Sequence, residues 1–267
     1  DFQMLVDLYQ ELENTSSGNK MREILSDFFK SVPEDDIRVI SYLTLGQIAS
    51  EYENVVLGMA EKSAIKAVAK AAGAEESKTA RIMQETGDAG LTAEKLLQKK
   101  TQTLIPLGKL SVKEVFEKLH KITEASGTGS QEVKINILVN LLQKASPKGA
   151  KYIIRIALGT LRMGVADMTV LDSLAIAYTG SKKAKELLEK AYNICPDVGI
   201  IAETLAKKGL KGIEKIDVQV GRPIKMMLAQ RVDALEEITA KIPGKLAIEA
   251  KYDGERMQVH KTKDKIT

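Results

Sequence analysis

Apolar residues recur at intervals of three and four through most of the first 210 positions, and this spacing limits the possible folds more than any other feature. Leu5, Leu8 and Leu12 follow it at the start of the chain, and Ala64 and Val68 follow it later. One face of an α-helix repeats at this interval. Aromatic residues make up only 4% of the sequence and Trp is absent, so the core must be built mainly from aliphatic side chains. The pattern predicts a mainly α fold.

The spacing predicts eleven helices before residue 210, joined by short connections rich in Gly, Pro and Ser. Asp35 or Asp36 is expected to cap the third helix and Thr92 the fifth, because short polar side chains accept hydrogen bonds from the free amides of a first turn. Gly73 is expected to end the fourth helix, since glycine readily takes the left-handed conformation found there. The first four helices are marked by apolar residues within 5–12, 24–29, 40–48 and 64–72, and the fifth lies in LTAEKLLQKK at 91–100. The other six are predicted to cover residues 111–124, 130–145, 149–161, 167–178, 181–194 and 198–208.

A change of pattern after residue 210 predicts a domain boundary there. Residues 217–220 alternate between polar and apolar side chains, as a strand does. A short amphipathic helix is predicted next, with Val232, Leu235 and Ile238 facing inward. The predicted domains are a large all-α domain at 1–210 and the beginning of an α+β domain at 211–267.

The last part of the chain has the two-residue period of a β-hairpin. Apolar and polar residues alternate from 246 to 252, and Met257 and Val259 alternate on the returning side. Asp253-Gly254 lies between them and is typical of a tight hairpin turn. This hairpin contains the stretch AIEAKYDGERMQVHK at 247–261, in which a lysine stands just before the turn.

Charge is distributed unevenly along the chain, although its net value is only +4. Residues 95–162 contain thirteen Lys and Arg against four Asp and Glu, a net charge of +9. Residues 1–94 have a net charge of −8, and residues 163–267 have a net charge of +3. A local basic excess of this size is typical of proteins that bind polyanions, and a solvated lysine-rich surface is the alternative.

Two features of the composition indicate a cytoplasmic protein. Cys195 is the single cysteine, which excludes an intramolecular disulfide and fits a reducing compartment. The sequence has no apolar run of about 18 residues and no charged-then-apolar leader. We therefore expect neither a membrane span nor a signal peptide.

Two loops in the basic segment are suited to binding phosphate. One is SGTGS at 126–130 and the other is SPKG at 146–149, and each opens a predicted helix. Glycine lets the backbone approach a ligand closely, and the amides at a helix N-terminus carry partial positive charge. Arg155 and Arg162 are seven residues apart and are predicted to share one helix face. An ordinary cap and turn is the alternative for each loop.

The basic segment lacks aromatic residues at stacking intervals. Contact with the backbone of a duplex is therefore favoured over recognition of single strands or unstacked bases. The residues predicted to contact DNA are Gly127, Thr128, Gly129, Ser130, Lys134, Lys148, Arg155, Arg162 and Gly164.

Lys251 stands directly before the predicted turn, where a lysine has little freedom to reach water. If burial or nearby cations remove its proton, the amine becomes a nucleophile. Gly254 would admit a phosphorylated ligand close to the backbone, Arg256 would meet phosphate or ribose oxygens, and Glu249 would accept a hydrogen bond from a base. An exposed hairpin with charged residues on its solvent face is the alternative.

The amino-acid sequence of this region resembles a known motif. KYDGER at 251–256 is similar to the K-x-D-G-x-R signature of nucleotidyltransferases that form a covalent lysine–nucleotide intermediate, which include DNA ligases, RNA ligases and messenger-RNA capping enzymes. GRPIKMMLAQR at 221–231 and TLRMGVADMTVLDSLAIA at 160–177 narrow the resemblance to ATP-dependent DNA ligases of the archaeal and eukaryotic replicative type. SGTGSQEVK at 126–134 and GDAGLTAEKL at 87–96 also resemble segments of their helical DNA-binding domain.

This resemblance extends over essentially the whole chain and implies a nick-sealing enzyme that uses ATP and Mg²⁺. Lys251 would attack the α-phosphate of ATP, release pyrophosphate and pass AMP to the 5′-phosphate of a nick, where the 3′-hydroxyl would displace it. Glu249 would contact the adenine and Arg256 the ribose or phosphates, with Asp253 and Gly254 as further nucleotide-binding residues. The helical domain would hold the nicked duplex.

The chain also departs from the family pattern. The resemblance implies further adenylation motifs, metal ligands and an OB-fold domain, none of which lies within the 267 residues. These residues are therefore expected to bind DNA as a monomer without sealing it. An RNA ligase or capping-type enzyme and a non-catalytic helical DNA scaffold are the alternatives, and a sliding clamp as a further partner is left open.

Overall fold

The computed structural model describes residues 1–98, 109–161, 163–180, 184–226, 230–250, 252–255 and 257–266. The thirteen α-helices in these ranges confirm the mainly α fold that the apolar period predicts, and none of those described is both long and apolar enough to cross a membrane. The helices are α1 Gln3–Glu13, α2 Gly18–Lys30, α3 Ile37–Thr44, α4 Glu61–Ala72, α5 Glu76–Thr86, α6 Ala89–Leu97, α7 Val112–Glu124, α8 Ser130–Lys144, α9 Pro147–Ala157, α10 Asp167–Thr179, α11 Lys185–Ile194, α12 Val198–Ile213 and α13 Leu235–Lys241.

Side-chain caps define the start of five of the described helices. Asp88 caps α6 by accepting a hydrogen bond from the Leu91 amide at 2.7 Å. The cap predicted at Thr92 is therefore wrong, and Thr92 lies buried inside the helix. Asp36 precedes α3 without a side-chain cap. Gly73 ends α4 with a φ of 62°, as predicted.

Aliphatic side chains fill the interior, as the composition requires. α6 packs against α9, α4 against α8, α2 against α10 and α3 against α12. Burying one large aliphatic side chain in such a contact stabilises the fold by roughly 1.5–3 kcal/mol. The largest fully buried side chains are Tyr9, Tyr152, Phe29, Leu5, Leu12, Leu25, Ile37, Ile40, Leu43, Leu119, Ile122 and Leu138.

Two glycines allow these helices to approach closely. A Cβ atom at Gly90 in α6 would lie 2.7 Å from the carbonyl oxygen of Lys151 in α9. A Cβ atom at Gly199 in α12 would lie 2.5 Å from Cζ of Tyr42 in α3. Tyr42 also donates a hydrogen bond to Asp197 Oδ1 at 2.7 Å, and Asp197 caps α12. These contacts hold α6 against α9 and α12 against α3.

The strands predicted after residue 210 are not found among the described residues, which end α12 at Ile213 and then form α13 and otherwise irregular backbone up to residue 260. A strand needs a partner for its amides and carbonyls, and alternation in the sequence does not supply one. Ile248 and Tyr252 are 92% and 87% exposed. The inward face predicted for α13 is also wrong at Leu235, which is 78% exposed.

The end of α12 contains a break in helix geometry. Gly209 has a φ of 60° and a ψ of −164°, and the helix resumes after it up to Ile213. The domain boundary predicted near residue 210 falls at this break.

Candidate nucleic-acid interface

The loop at 126–130 presents open backbone at the start of α8. Gly127 and Gly129 each have a φ of 82°, a left-handed conformation that favours glycine. A Cβ atom at either position would meet no described heavy atom within 4 Å. Within the described ranges, the backbone N–H groups of Thr128, Gly129 and Gln131 have no hydrogen-bond acceptor. Because free amides at a helix start attract anions, a phosphate group has both room and donors here.

Lys134 lies behind this loop and not at its surface. Its side chain is 8% exposed, and its Nζ donates a hydrogen bond to the Leu57 carbonyl oxygen at 3.3 Å. A Cβ atom at Gly58 would lie 3.3 Å from the same nitrogen. The structure therefore corrects the expectation that Lys134 offers a free charge to phosphate. It holds the segment before α4 against α8.

The first turn of α8 contains one carboxylate, and α4 neutralises it. Lys70 of α4 pairs with Glu132 of α8. The hydrogen bond from Lys70, together with the charges of Lys70 and Lys66, holds the pKa of the Glu132 carboxyl below its ordinary value. Ser63 of α4 also donates to Gln131 Oε1 at 3.4 Å. The start of α8 thus remains positive in spite of Glu132.

The loop at 146–149 caps α9, and one of its backbone amides already has a hydrogen-bond acceptor. Ser146 Oγ accepts a hydrogen bond from the Gly149 amide at 3.1 Å, and Pro147 takes the first helical position. α9 therefore begins two residues before the predicted start. Lys148 is exposed, and its Nζ donates to Gln10 Oε1 of α1. In this loop, the exposed ammonium group of Lys148 is available to a phosphate.

Arg155 belongs to an internal ion-pair cluster, which corrects the expectation that it faces DNA. The guanidinium is 17% exposed and pairs with Glu13 of α1 and, at 3.2 Å, with Asp88. Lys151 Nζ and Tyr152 Oη donate to the same Glu13 carboxylate at 2.6 and 2.8 Å. Burial acts to raise the pKa of Glu13, but these hydrogen bonds and the charges of Lys151 and Arg155 hold it below its ordinary value. The cluster joins α1, the cap of α6 and α9.

The chain turns sharply between α9 and α10. Gly159 and Gly164 have φ values of 65° and 69°, and α9 ends two residues before the first of them. α9 therefore ends four residues before the predicted end at 161, and the predicted shared face with Arg155 is not described because Arg162 lies outside the described residues. A Cβ atom at Gly164 would lie 3.3 Å from Met21 Cε, so this turn packs on α2.

The predicted nucleotide-binding residues are described only in part. Glu249, Asp253 and Gly254 are exposed, whereas Lys251 and Arg256 lie outside the described residues. A Cβ atom at Gly254 would meet no described heavy atom within 4 Å. In the described ranges, no group of three or more His, Cys, Asp or Glu side chains is arranged to hold a metal ion.

The segment around this motif is attached to the helical domain. The Lys225 amide donates to the Asn193 carbonyl at 2.7 Å, and Lys225 Nζ lies 4.1 Å from the centre of the Tyr192 ring. The Ile224 amide donates to Gln258 Oε1 at 3.0 Å, and Gln258 Nε2 donates to the Ile224 carbonyl at 2.6 Å. The chain on both sides of the motif is thus connected to the end of α11.

A further set of basic residues lies on α4, which packs on α8, and the net charge of its sequence segment does not indicate it. Lys62, Lys66 and Lys70 of α4 belong to the acidic segment at 1–94, yet they are exposed beside the start of α8. The four-residue spacing of these lysines in the sequence could have indicated them, because it places their side chains on one face of a helix.

Comparison with known proteins matches both parts of the chain. Residues 1–175 match the family model described as DNA ligase N terminus, and residues 226–267 match the one described as ATP dependent DNA ligase domain. "DNA ligase 2" of Thermofilum pendens is 46% identical over 272 aligned positions, which cover 99% of this chain and 45% of the relative.

Two further relatives have similar identity to this chain and similar coverage. "DNA ligase 1" of Methanosarcina mazei is 40% identical over 265 positions, and "Probable DNA ligase" of Persephonella marina is 41% identical over 264 positions. In both cases the alignment covers 99% of this chain and 45% of the relative. The chain spans somewhat less than half the length of these curated relatives.

Proposed function

Because this chain belongs to the ATP-dependent DNA ligase family, we propose that the whole protein seals nicks in duplex DNA. The observation that carries the proposal is the position of KYDGER at 251–256: it follows a helical domain matched as DNA ligase N terminus and lies within the match to the ligase domain. In this proposal the helical domain at 1–210 holds the DNA, and residues 211–267 begin the adenylation domain. The names of the relatives favour DNA over RNA as the strand that is joined.

The proposed chemistry passes through Lys251. Its ε-amine attacks the α-phosphate of ATP, the bond to the β-phosphate breaks and pyrophosphate leaves. An oxygen of the 5′-phosphate of the nick then attacks the phosphorus of the lysine-bound AMP, and the P–N bond breaks, which frees the amine. The 3′-hydroxyl attacks the 5′-phosphate, and AMP leaves. Glu249 orients the adenine, and Arg256 contacts the ribose or phosphates. Mg²⁺, when bound, neutralises phosphate charge, and the protein contributes mainly position and fixed charge.

The helical domain is proposed to hold the duplex through its backbone phosphates. The support is the loop at 126–130 at the start of α8, where the amides of Thr128 and Gly129 have no acceptor among the described residues and a Cβ at Gly127 or Gly129 would meet no described heavy atom within 4 Å. Lys148 adds an exposed cation. Arg162 and Gly164 are proposed as further phosphate contacts. Such contacts are largely independent of base sequence, which suits an enzyme that must act wherever a strand is broken.

Transfer of the α-phosphate label of ATP to the whole protein tests the role of Lys251. Lys251→Ala is expected to abolish both the label and nick sealing, because no other group forms the covalent bond. Lys261→Ala, a lysine ten residues away, is the matched control and should keep both. A nick that already bears AMP on its 5′-phosphate bypasses the first step, so the Lys251→Ala protein should still seal it. Normal labelling and sealing of ordinary nicks by Lys251→Ala would contradict the proposal.

A further inference from the structure

α4 presents a row of lysines next to the loop that is proposed to bind DNA. Lys62, Lys66 and Lys70 are exposed and four residues apart, so they follow one face of the helix. With a rise of about 1.5 Å per residue, the row is about 12 Å long. Because α4 packs along α8, the row is held at a fixed position relative to the 126–130 loop.

Little negative charge opposes this lysine row. Lys70 pairs with Glu132, and the charge of Lys66 adds to the lowered pKa of that carboxyl. In the part of the chain that the structure describes, Lys62 and Lys66 form no ion pair. Two lysines without an ion-pair partner therefore lie on α4, the helix that packs on α8 and contacts its first turn through Ser63 and Lys70.

We propose that the lysine row binds the phosphate backbone of the duplex that the 126–130 loop holds, which lengthens the contact along the DNA. The inference rests on the proposed function and adds a surface to it. A 12 Å length of B-DNA carries roughly seven phosphates, so a row of this length meets charge wherever the duplex runs past it. Lys70 has a second effect, since by neutralising Glu132 it removes the carboxylate that would repel a phosphate at the start of α8.

The chemistry of the row determines what it recognises. Lysine ammonium groups act as point charges, and they bind phosphate without reading bases. The row gives no platform for stacking an unpaired base, since its members are separated by Ser63, Ala64, Ile65, Ala67, Val68 and Ala69. We therefore assign the lysine row to the phosphates of the duplex on either side of a nick and not to unpaired bases.

The salt dependence of binding tests the proposal directly. The double variant Lys62→Gln, Lys66→Gln of this chain should bind a nicked duplex roughly tenfold or more weakly at low salt, because two phosphate contacts are lost. The slope of log affinity against log salt should become shallower by about two. The control is Lys208→Gln, Lys211→Gln, which removes two exposed charges from α12, a helix that packs on α3, α10 and α11. It should bind as the unchanged chain does.

The outcomes separate this inference from the proposed function. If the unchanged chain binds with steep salt dependence and the Lys62→Gln, Lys66→Gln variant has the same affinity and slope, the inference is overturned and the proposed function stands. If the unchanged chain shows no salt-dependent binding to nicked duplex, the proposed function of the helical domain fails with it. Thermal unfolding of the variant, compared with that of the control, verifies that a loss of binding is not a loss of fold.

A measurement without any substitution gives a second test. Acetylation of lysines in the unchanged chain, followed by mass spectrometry, should be slower at Lys62 and Lys66 when nicked duplex is bound, and unchanged at Lys208. Equal acetylation rates at Lys62 and Lys66 with and without DNA would overturn the proposal.

Discussion

Glu13 and Arg155 show at the residue scale why a charge pattern alone does not locate a DNA contact. Arg155 belongs to the basic segment, yet its guanidinium is paired with Glu13 and Asp88 inside the cluster formed with Lys151 and Tyr152. A cation that already has two carboxylate partners gives little net attraction to a phosphate. The partner Glu13 lies more than a hundred residues away in sequence, and no local pattern predicts that pairing.

Glu13→Gln should destabilise the fold in a pH-dependent manner. Lys151 is buried and would lose its carboxylate partner, and because Glu13 is partly exposed we expect a cost of about 1–2 kcal/mol at neutral pH. The folded pKa of Glu13 lies below its ordinary 4.5, so the carboxylate stabilises the fold above that pH, and the contribution is lost as pH falls through the folded pKa. Urea unfolding of both proteins from neutral to acidic pH measures the difference.

Glu11→Gln serves as the matched control, because Glu11 is exposed on the same helix. It should leave the free energy of unfolding nearly unchanged at every pH. A Glu13→Gln difference that stays constant on acidification would show that the cluster does not depend on the Glu13 charge.

At the scale of single helices, much of the secondary structure was predictable from the sequence. The apolar period located most helices, and the Gly73 end of α4 followed from glycine chemistry. α5 was missed because only Ile82 and Thr79 are buried on it, too few for a visible period. Strands at 217–220 and 246–252 were predicted from alternation, and alternation describes side-chain faces without supplying a pairing partner.

The candidate site was predictable to a smaller extent. The sequence located the 126–130 loop, since glycines and a following helix are local features. It did not reveal that Lys134 turns inward to Leu57, because that contact joins segments far apart in the chain. The roles of Lys251, Arg256 and Arg162 remain predictions.

Gly90→Ala should destabilise the contact between α6 and α9. The added Cβ would lie 2.7 Å from the Lys151 carbonyl oxygen, and this backbone atom can move only if the helices separate. Overpacking of this kind costs about 1–3 kcal/mol. Thermal or urea unfolding of the variant measures it.

Gly18→Ala is the control for the glycine substitution. Gly18 is the first residue of α2, and its Cβ would meet only Arg22 Nη1 at an ordinary 3.4 Å. It should be neutral or slightly stabilising, because alanine restricts the unfolded chain. Equal stability of both variants would mean that α6 and α9 are not in close contact.

At the scale of the whole molecule, the surface that is proposed to bind DNA is assembled from segments of opposite net charge. Lys134, Lys151 and Arg155 of the basic segment are directed inward, whereas Lys62, Lys66 and Lys70 come from the acidic segment. The packing of α4 on α8 brings the second group beside the free amides of the 126–130 loop. Positive potential at the start of α8 is therefore a property of the fold and not of one stretch of sequence.

The most direct test of this central claim is the affinity of the chain for nicked duplex when the net charge is lowered by one at the start of α8 or, as a control, on α12. Gln131→Glu places the charge in the first turn, where it should stabilise the helix slightly and yet weaken DNA binding, with a salt slope shallower by about one. Lys208→Gln makes the same change of net charge on α12, the helix used above as a control, and should leave the affinity and the slope unchanged. Equal binding by the two variants would contradict the account.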